Sequence, residues 1–211
     1  MKLDLLFATP MFSSKMLKAD EQCAQLTSSF IRLSSNKEHI IEPRVKSAHV
    51  IESQHHILRE PEPLFADIGR FIHQNMLTVM AQVSKMPQDK LNTLKFDYES
   101  WFTITNKGGY QGFQNHPNKS WKGFLCVAEG EGIDNTSSNA QIRMHDDRVN
   151  ANFYADPGNS YTKTPYEVNG RTLYLHTGDL VILPGHINYE TFTYEGTTPR
   201  VILHFTVSIK P

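Results

Sequence analysis

The sequence predicts an α+β chain that is mainly β: a helical N-terminal layer packed on a β-rich body of sandwich, jelly-roll or barrel type. Three observations carry this. Two stretches before residue 84 repeat apolar residues at helical spacing. After residue 92, roughly eight short segments rich in β-branched and aromatic residues alternate with turn residues, the pattern of a closed or double sheet. A length of 211 residues with 39% hydrophobic and 10% aromatic content suits one globular domain with a sizeable core. We therefore read residues 1–211 as a single domain, with a helical layer over 1–90 and the β core over 91–211.

The elements follow in order. The opening MKLDLLFATPMF is too short an apolar patch for a secretory leader, and no run approaches a membrane span, so a cytoplasmic protein is expected. Residues 19–33 space Cys23, Leu26, Phe30 and Leu33 by three and four, with Asp20 as a cap candidate. Residues 62–83 carry a longer stripe of Leu64, Phe65, Ile68, Phe71, Ile72, Met76, Met80 and Val83, and Pro63 suits a first helical turn. His73 falls off that stripe and reads as a solvated polar residue. Residues 34–61 show no period and read as irregular surface or weak strand. Strands are expected over 94–105, 121–128, 140–144, 151–155, 171–176, 179–183, 189–194 and 200–209. Turns are expected at Gly108-Gly109, Glu129-Gly130, Asp156-Pro157-Gly158, Asn169-Gly170, Thr177-Gly178 and Pro184-Gly185.

Composition narrows the function. With 21 Lys+Arg against 22 Asp+Glu, the net charge of −1 provides no electrostatic footprint for nucleic acid or an anionic membrane. Cys23 and Cys126 are too few for a disulfide framework or a thiolate zinc site. Histidine, with ten copies, is the metal-ligand type in surplus.

Three constellations could carry chemistry. In GGYQGFQNHPNKSWKG, His116 precedes Pro117, which biases it to an extended conformation at a strand edge. There it either points into a barrel mouth or is a solvated loop residue. In DLVILPGHINYE, His186 follows the Pro184-Gly185 turn directly. Arg200 then opens the apolar strand Val201-Ile202-Leu203-His204-Phe205. A buried Arg needs an anion, supplied by a structural carboxylate or by the carboxylate of a ligand. In QIRMHDDRVN, His145 and Asp147 share a strand face. With His186 they would match the two-His-one-carboxylate formula of non-haem Fe(II) sites. They could equally be a polar turn pairing Arg143 or Arg148.

Four segments in the same order resemble a known family: LFATPMF, SWFTITNKGGYQGFQNHPNKSWKGFLCV, HDDRVNANFYADPGNSY and GDLVILPGHINYETFTYEGTTPRVILHFTV. They are similar to the small 2-oxoglutarate/Fe(II) dioxygenase-like proteins of marine bacteria and their phages, over most of the chain. The resemblance implies a double-stranded β-helix (jelly roll) with the N-terminal helices packed on one side. It implies Fe(II) and 2-oxoglutarate as cofactors, His116 and His186 as metal ligands, and Arg200 on the distal carboxylate of 2-oxoglutarate. The implied reaction is hydroxylation of a small-molecule or peptide-like substrate, with release of succinate and CO2.

The chain departs from the family pattern at two places. Gln114 stands where the His-x-His motif has its first histidine. Either Gln114 or water is a weak third ligand, or His145 or Asp147 has moved in, or the site no longer holds iron. The last possibility would leave a non-catalytic jelly-roll binding module. Lys122 replaces a small Ser, and would either bind a carboxylate or lie on the surface. Tyr110, Trp121, Tyr154 and Tyr161 are candidates to line the substrate pocket.

Overall fold

The computed structural model of the chain describes residues 2, 8–134, 137–148, 158 and 170–210. The first helix, α1, spans Ala19–Ser34 and buries Cys23, Leu26, Phe30 and Leu33, as the spacing predicts. Its N-cap is Lys18, which makes no side-chain capping bond. Asp20 lies in the first turn instead, where a carboxylate meets the positive end of the helix dipole. The second helix, α2, spans Pro63–Val83 with its proline at the start, where the missing N–H costs nothing. It buries Phe65, Ile68, Ile72, Met76 and Val79. His73 is half-buried rather than solvated, because its Nδ1 meets the Tyr98 hydroxyl at 2.9 Å and its ring packs edge-on against Phe96. A single turn, α3, covers Gln88–Leu91.

Ten strands lie among the described residues: β1 (Phe12–Lys15), β2 (Ile40–Ile41), β3 (Ser47–Ser53), β4 (Lys95–Gln114), β5 (Trp121–Ala128), β6 (Ile142–Met144), β7 (Arg171–Leu173), β8 (Asp179–Pro184), β9 (Tyr189–Thr191) and β10 (Arg200–Lys210). They form one antiparallel sheet in the order β1-β8-β5-β10-β4-β9-β6-β7, with β3 on the far edge of β4 and β2 beyond it. Three strands thus come from residues 1–90, which the sequence assigns to a helical layer. Strand β3 carries no legible alternation because it is broken at His49, whose φ is 50°, and its register on β4 shifts there. The strand expected over 151–155 lies outside the described residues.

Strand β4 does not turn at Gly108-Gly109 but runs through it. A Cβ on Gly109 would sit 2.5 Å from Thr105 Cγ2 and 2.7 Å from the Asn106 carbonyl, so only glycine permits the bend. Before the bend β4 pairs with β10, and beyond it with β9. The bend lets one strand serve both halves of the curled sheet, and this is the jelly-roll, double-stranded β-helix expected from the sequence.

Alternation along β10 separates two interiors. Val201, Leu203, Phe205 and Val207 face a core shared with α1 and α2. Arg200, Ile202, His204 and Thr206 face the other way, into the barrel, and all four are buried. Phe124, Cys126, Val181, Leu183 and Tyr189 share the barrel's apolar cluster with Ile202. Trp121, proposed to line a pocket, belongs to the helix-side core instead. Tyr154 and Tyr161 lie outside the described residues.

Candidate functional site

The barrel interior gathers most of the buried polar side chains, and Arg200 is the most demanding. It is 2% exposed, and its register opposite Thr105 points it inward. Its Nη1 donates to the Ala140 carbonyl at 2.6 Å, while Nε and Nη2 are buried without a partner. Burial pulls its pKa down, but a guanidinium remains protonated. Among the described residues no carboxylate forms an ion pair with it, and Glu129 acts on it only at longer range. A buried cation with two free donors in its planar fork fits a carboxylate arriving from outside the protein.

A second centre forms where the loop after β4 crosses the turn after β8. The His116 N–H donates to the Gly185 carbonyl at 3.1 Å. The approach is so close that a Cβ on Gly185 would meet the Lys119 carbonyl at 2.2 Å. His116 Nε2 and the Tyr189 hydroxyl share a hydrogen bond of 3.1 Å, and the Trp101 ring lies 5.4 Å from the imidazole. Burial, followed by the charge of Lys122, lowers the His116 pKa to about 4, so the imidazole is neutral at pH 7. Gln114 pairs with Tyr189 across the strands, and its Nε2 is buried without a partner.

His186, expected as the distal metal ligand, is exposed. The turn closes with the Ile187 N–H on the Pro184 carbonyl, and β9 then pairs with both Gln114 and Met144 through Tyr189. That register delivers Tyr189 to His116 and leaves the His186 side chain at the surface. Tyr189 is fully buried, and desolvation drives its hydroxyl pKa upward, keeping it neutral. His145 and Asp147 do not join this centre. His145 Nε2 meets Glu190 at 3.1 Å, and Asp147 accepts from Asn188 at 2.6 Å.

Lys122, for which the sequence leaves a carboxylate-binding and a surface position open, is 1% exposed. Its Nζ donates to the Ile187 carbonyl at 2.7 Å and lies 3.5 Å from the centre of the Tyr189 ring. Desolvation lowers its pKa to about 6, with the Asp147 carboxylate pulling the other way.

The barrel holds three more interior residues that the sequence does not mark as site candidates. His55 Nε2 contacts Glu52 at 2.9 Å, and its ring stacks on Trp101 at 4.2 Å. His204 stacks on the opposite face of Trp101 at 5.3 Å and meets Thr103 Oγ1 at 2.9 Å. The Nδ1 atoms of both histidines are buried without partners. Period-two spacing from Arg200 would have placed His204 inward. No comparable signal existed for Glu52 and His55, which arrive on the unrecognised strand β3 and the loop after it.

Against this geometry the two expected cofactors fare differently. The orphaned donors of Arg200 fit a keto acid's distal carboxylate. For Fe(II), the described residues supply one neutral imidazole, His116, with the amide of Gln114 and the phenol of Tyr189 beside it. No group of three His, Cys, Asp or Glu among the described residues could hold a metal ion. This donor set does not fit a two-His-one-carboxylate iron site.

Comparison with known proteins bears on the same barrel. Residues 99–206 match the family model described as "Putative 2OG-Fe(II) oxygenase". No curated protein matches the chain significantly. Among solved structures, a Pseudomonas putida prolyl-4-hydroxylase is similar at 16% identity, covering 95% of this chain and 92% of its own, with a TM-score of 0.63. HygX from Streptomyces hygroscopicus, with nickel and 2-oxoglutarate bound, is similar at 10% identity over 95% of this chain and 83% of its own, with a TM-score of 0.62. AviO1 from Streptomyces viridochromogenes Tue57 is similar at 9% identity over 95% and 90%, with a TM-score of 0.59. These likenesses speak to the fold, which is the jelly roll derived above. The family model spans more than half of the sequence and ends within β10 beyond Arg200, so the chain belongs to the 2OG-Fe(II) oxygenase family, a family of dioxygenases whose cofactors, Fe(II) and 2-oxoglutarate, are the pair implied by the sequence.

Proposed function

We propose that the chain is a cytoplasmic, single-domain 2-oxoglutarate-dependent oxygenase of the small type found in marine bacteria and phages. It hydroxylates a small-molecule or peptide-like substrate with release of succinate and CO2. The observation that carries this reading is Arg200: fully buried on the inner face of β10, with Nε and Nη2 unpartnered and no carboxylate beside it among the described residues. The distal carboxylate of 2-oxoglutarate satisfies both donors at once. Family membership supports the reaction class. The range of substrate is supported by the relatives, since one is a prolyl-4-hydroxylase and HygX is also described with hygromycin B bound. Residues His116 and Gln114 are the side chains of this chain that would face the metal. His186, exposed in its turn, is not among them.

The test is production of succinate from 2-oxoglutarate in the presence of Fe(II) and O2. Turnover above the protein-free rate is expected. In the Arg200→Met variant the apparent KM for 2-oxoglutarate should rise by roughly 30-fold or more, following the ~2–5 kcal/mol cost of removing one partner of a buried charge pair. A variant with unchanged KM would remove Arg200 from the site.

One observation favours a second reading, a barrel that binds the keto acid without oxidising anything: His116 is met by the Tyr189 phenol, with the Lys122 amine over that ring, and not by a second imidazole. Binding of 2-oxoglutarate with no succinate under any metal loading would select it.

A further inference from the structure

The barrel holds a second buried basic side chain, Lys122, and the reaction as proposed has no use for it. Lys122 and Arg200 face the same interior. Lys122 stands opposite Thr206 in the β5–β10 register, and Thr206 and Arg200 lie on one face of β10. Along that strand, six residues (206 − 200) at ~3.3 Å each separate them by about 20 Å at the backbone. Between them the β5–β10 register places Phe124 opposite His204 and Cys126 opposite Ile202, and the Lys122 Nζ lies 5.8 Å from the Phe124 ring centre. His204 lies between the two and feels the charge of each.

Neither side chain forms an ion pair among the described residues; Asp147 acts on Lys122 and Glu129 on Arg200 only at longer range. Lys122 has one hydrogen bond, to the Ile187 carbonyl; with its pKa lowered to about 6, a carboxylate arriving beside it would also draw a proton to the amine. The buried Gln114 Nε2, on the residue that pairs with Tyr189 across the strands, likewise has nothing to donate to. At the other end are the free Nε and Nη2 of Arg200. Buried donors without acceptors are costly, and more so when charged. The interior is therefore lined with donors at both ends and lacks the two acceptors that would satisfy them. An elongated dianion supplies both.

We infer that Lys122, with the Gln114 amide, holds the second carboxylate of a dicarboxylic keto acid whose first carboxylate is gripped by Arg200, so that 2-oxoglutarate binds this chain without a metal. The inference rests on the Arg200 reading above and assigns to protein side chains a grip on the inner carboxylate that does not depend on the metal. It also accounts for a lysine buried at a position where the pattern has a small Ser.

The test is calorimetric titration of the full chain with 2-oxoglutarate under anaerobic conditions, once in EDTA and once with Mn(II). Dissociation constants within about threefold of each other are expected. In EDTA, Lys122→Met should weaken binding at least tenfold and Lys122→Arg should recover most of it. Butyrate, which has one carboxylate, should bind at least tenfold more weakly than 2-oxoglutarate. An unchanged urea midpoint for Lys122→Met separates lost binding from lost folding. Binding that requires Mn(II), or a Lys122→Met variant with wild-type affinity in EDTA, overturns the inference and leaves the Arg200 reading standing. Absence of binding in both conditions overturns both.

Discussion

The two faces of strand β10 make an instructive pair. Toward the helices, Val201, Leu203, Phe205 and Val207 pack on Phe30, Phe65 and Ile68, and every side chain is apolar. Toward the barrel, the intervening residues Arg200, His204 and Thr206 are equally buried, yet each carries a polar atom with no partner. A fold stabilised only by its own contacts would have no reason to bury those groups. One face is organised for stability, and the other gives up stability to keep donors available.

The comparison breaks most visibly on the helix face. Phe205→Ala should cost ~3–5 kcal/mol, the usual range for a buried aromatic in a well-packed core, and would appear as a large drop in the urea midpoint. On the barrel face, Thr206→Val removes a hydroxyl that has no partner and preserves shape. It should leave stability unchanged or raise it by up to ~1 kcal/mol, because the desolvation penalty disappears with the hydroxyl. A loss of stability at Thr206 as large as that at Phe205 would erase the distinction.

A pH series sharpens it further. Burial holds the His204 pKa well below its ordinary value of 6.5. The folded protein therefore carries this imidazole neutral, while the unfolded chain takes up a proton once the pH drops below about 6.5. The stability contribution is present above that pH and is lost as pH falls toward the depressed folded value. Urea midpoints should decline between pH 7 and pH 5, and His204→Gln should show a shallower decline. The smallest effect expected is chemical. Burial raises the thiol pKa of Cys23 to about 11 and of Cys126 to about 12. Both should resist a thiol reagent at pH 8 until the protein is unfolded.

The departures in this site follow from how strands deliver side chains. The sequence points to both loops that cross at Gly185 and to Arg200. Within the second loop His186 is exposed, and it is Tyr189 that is buried against His116. His186 was the natural ligand candidate because it is a histidine beside a turn. Position in a turn does not say which side chain faces in, and a shift of register along a strand exchanges inside for outside. Only the pairing of Gln114 with Tyr189 resolves it. The same limit hid β3, where the left-handed residue His49 breaks the alternation that would have marked a strand.

Local periodicity determined what could be determined locally. The residues spaced by three and four became α1 and α2, short runs rich in β-branched and aromatic residues between turns became β5, β8 and β10, and an arginine heading an apolar strand called for an anionic partner. These are short-range properties, set by the 3.6- and two-residue repeats of the backbone. Whether Lys122 was a surface residue or the second buried basic side chain of a closed interior was not legible in that way. It depends on strands more than sixty residues apart meeting at Ile187 and Tyr189, and only the curling of the sheet decides that.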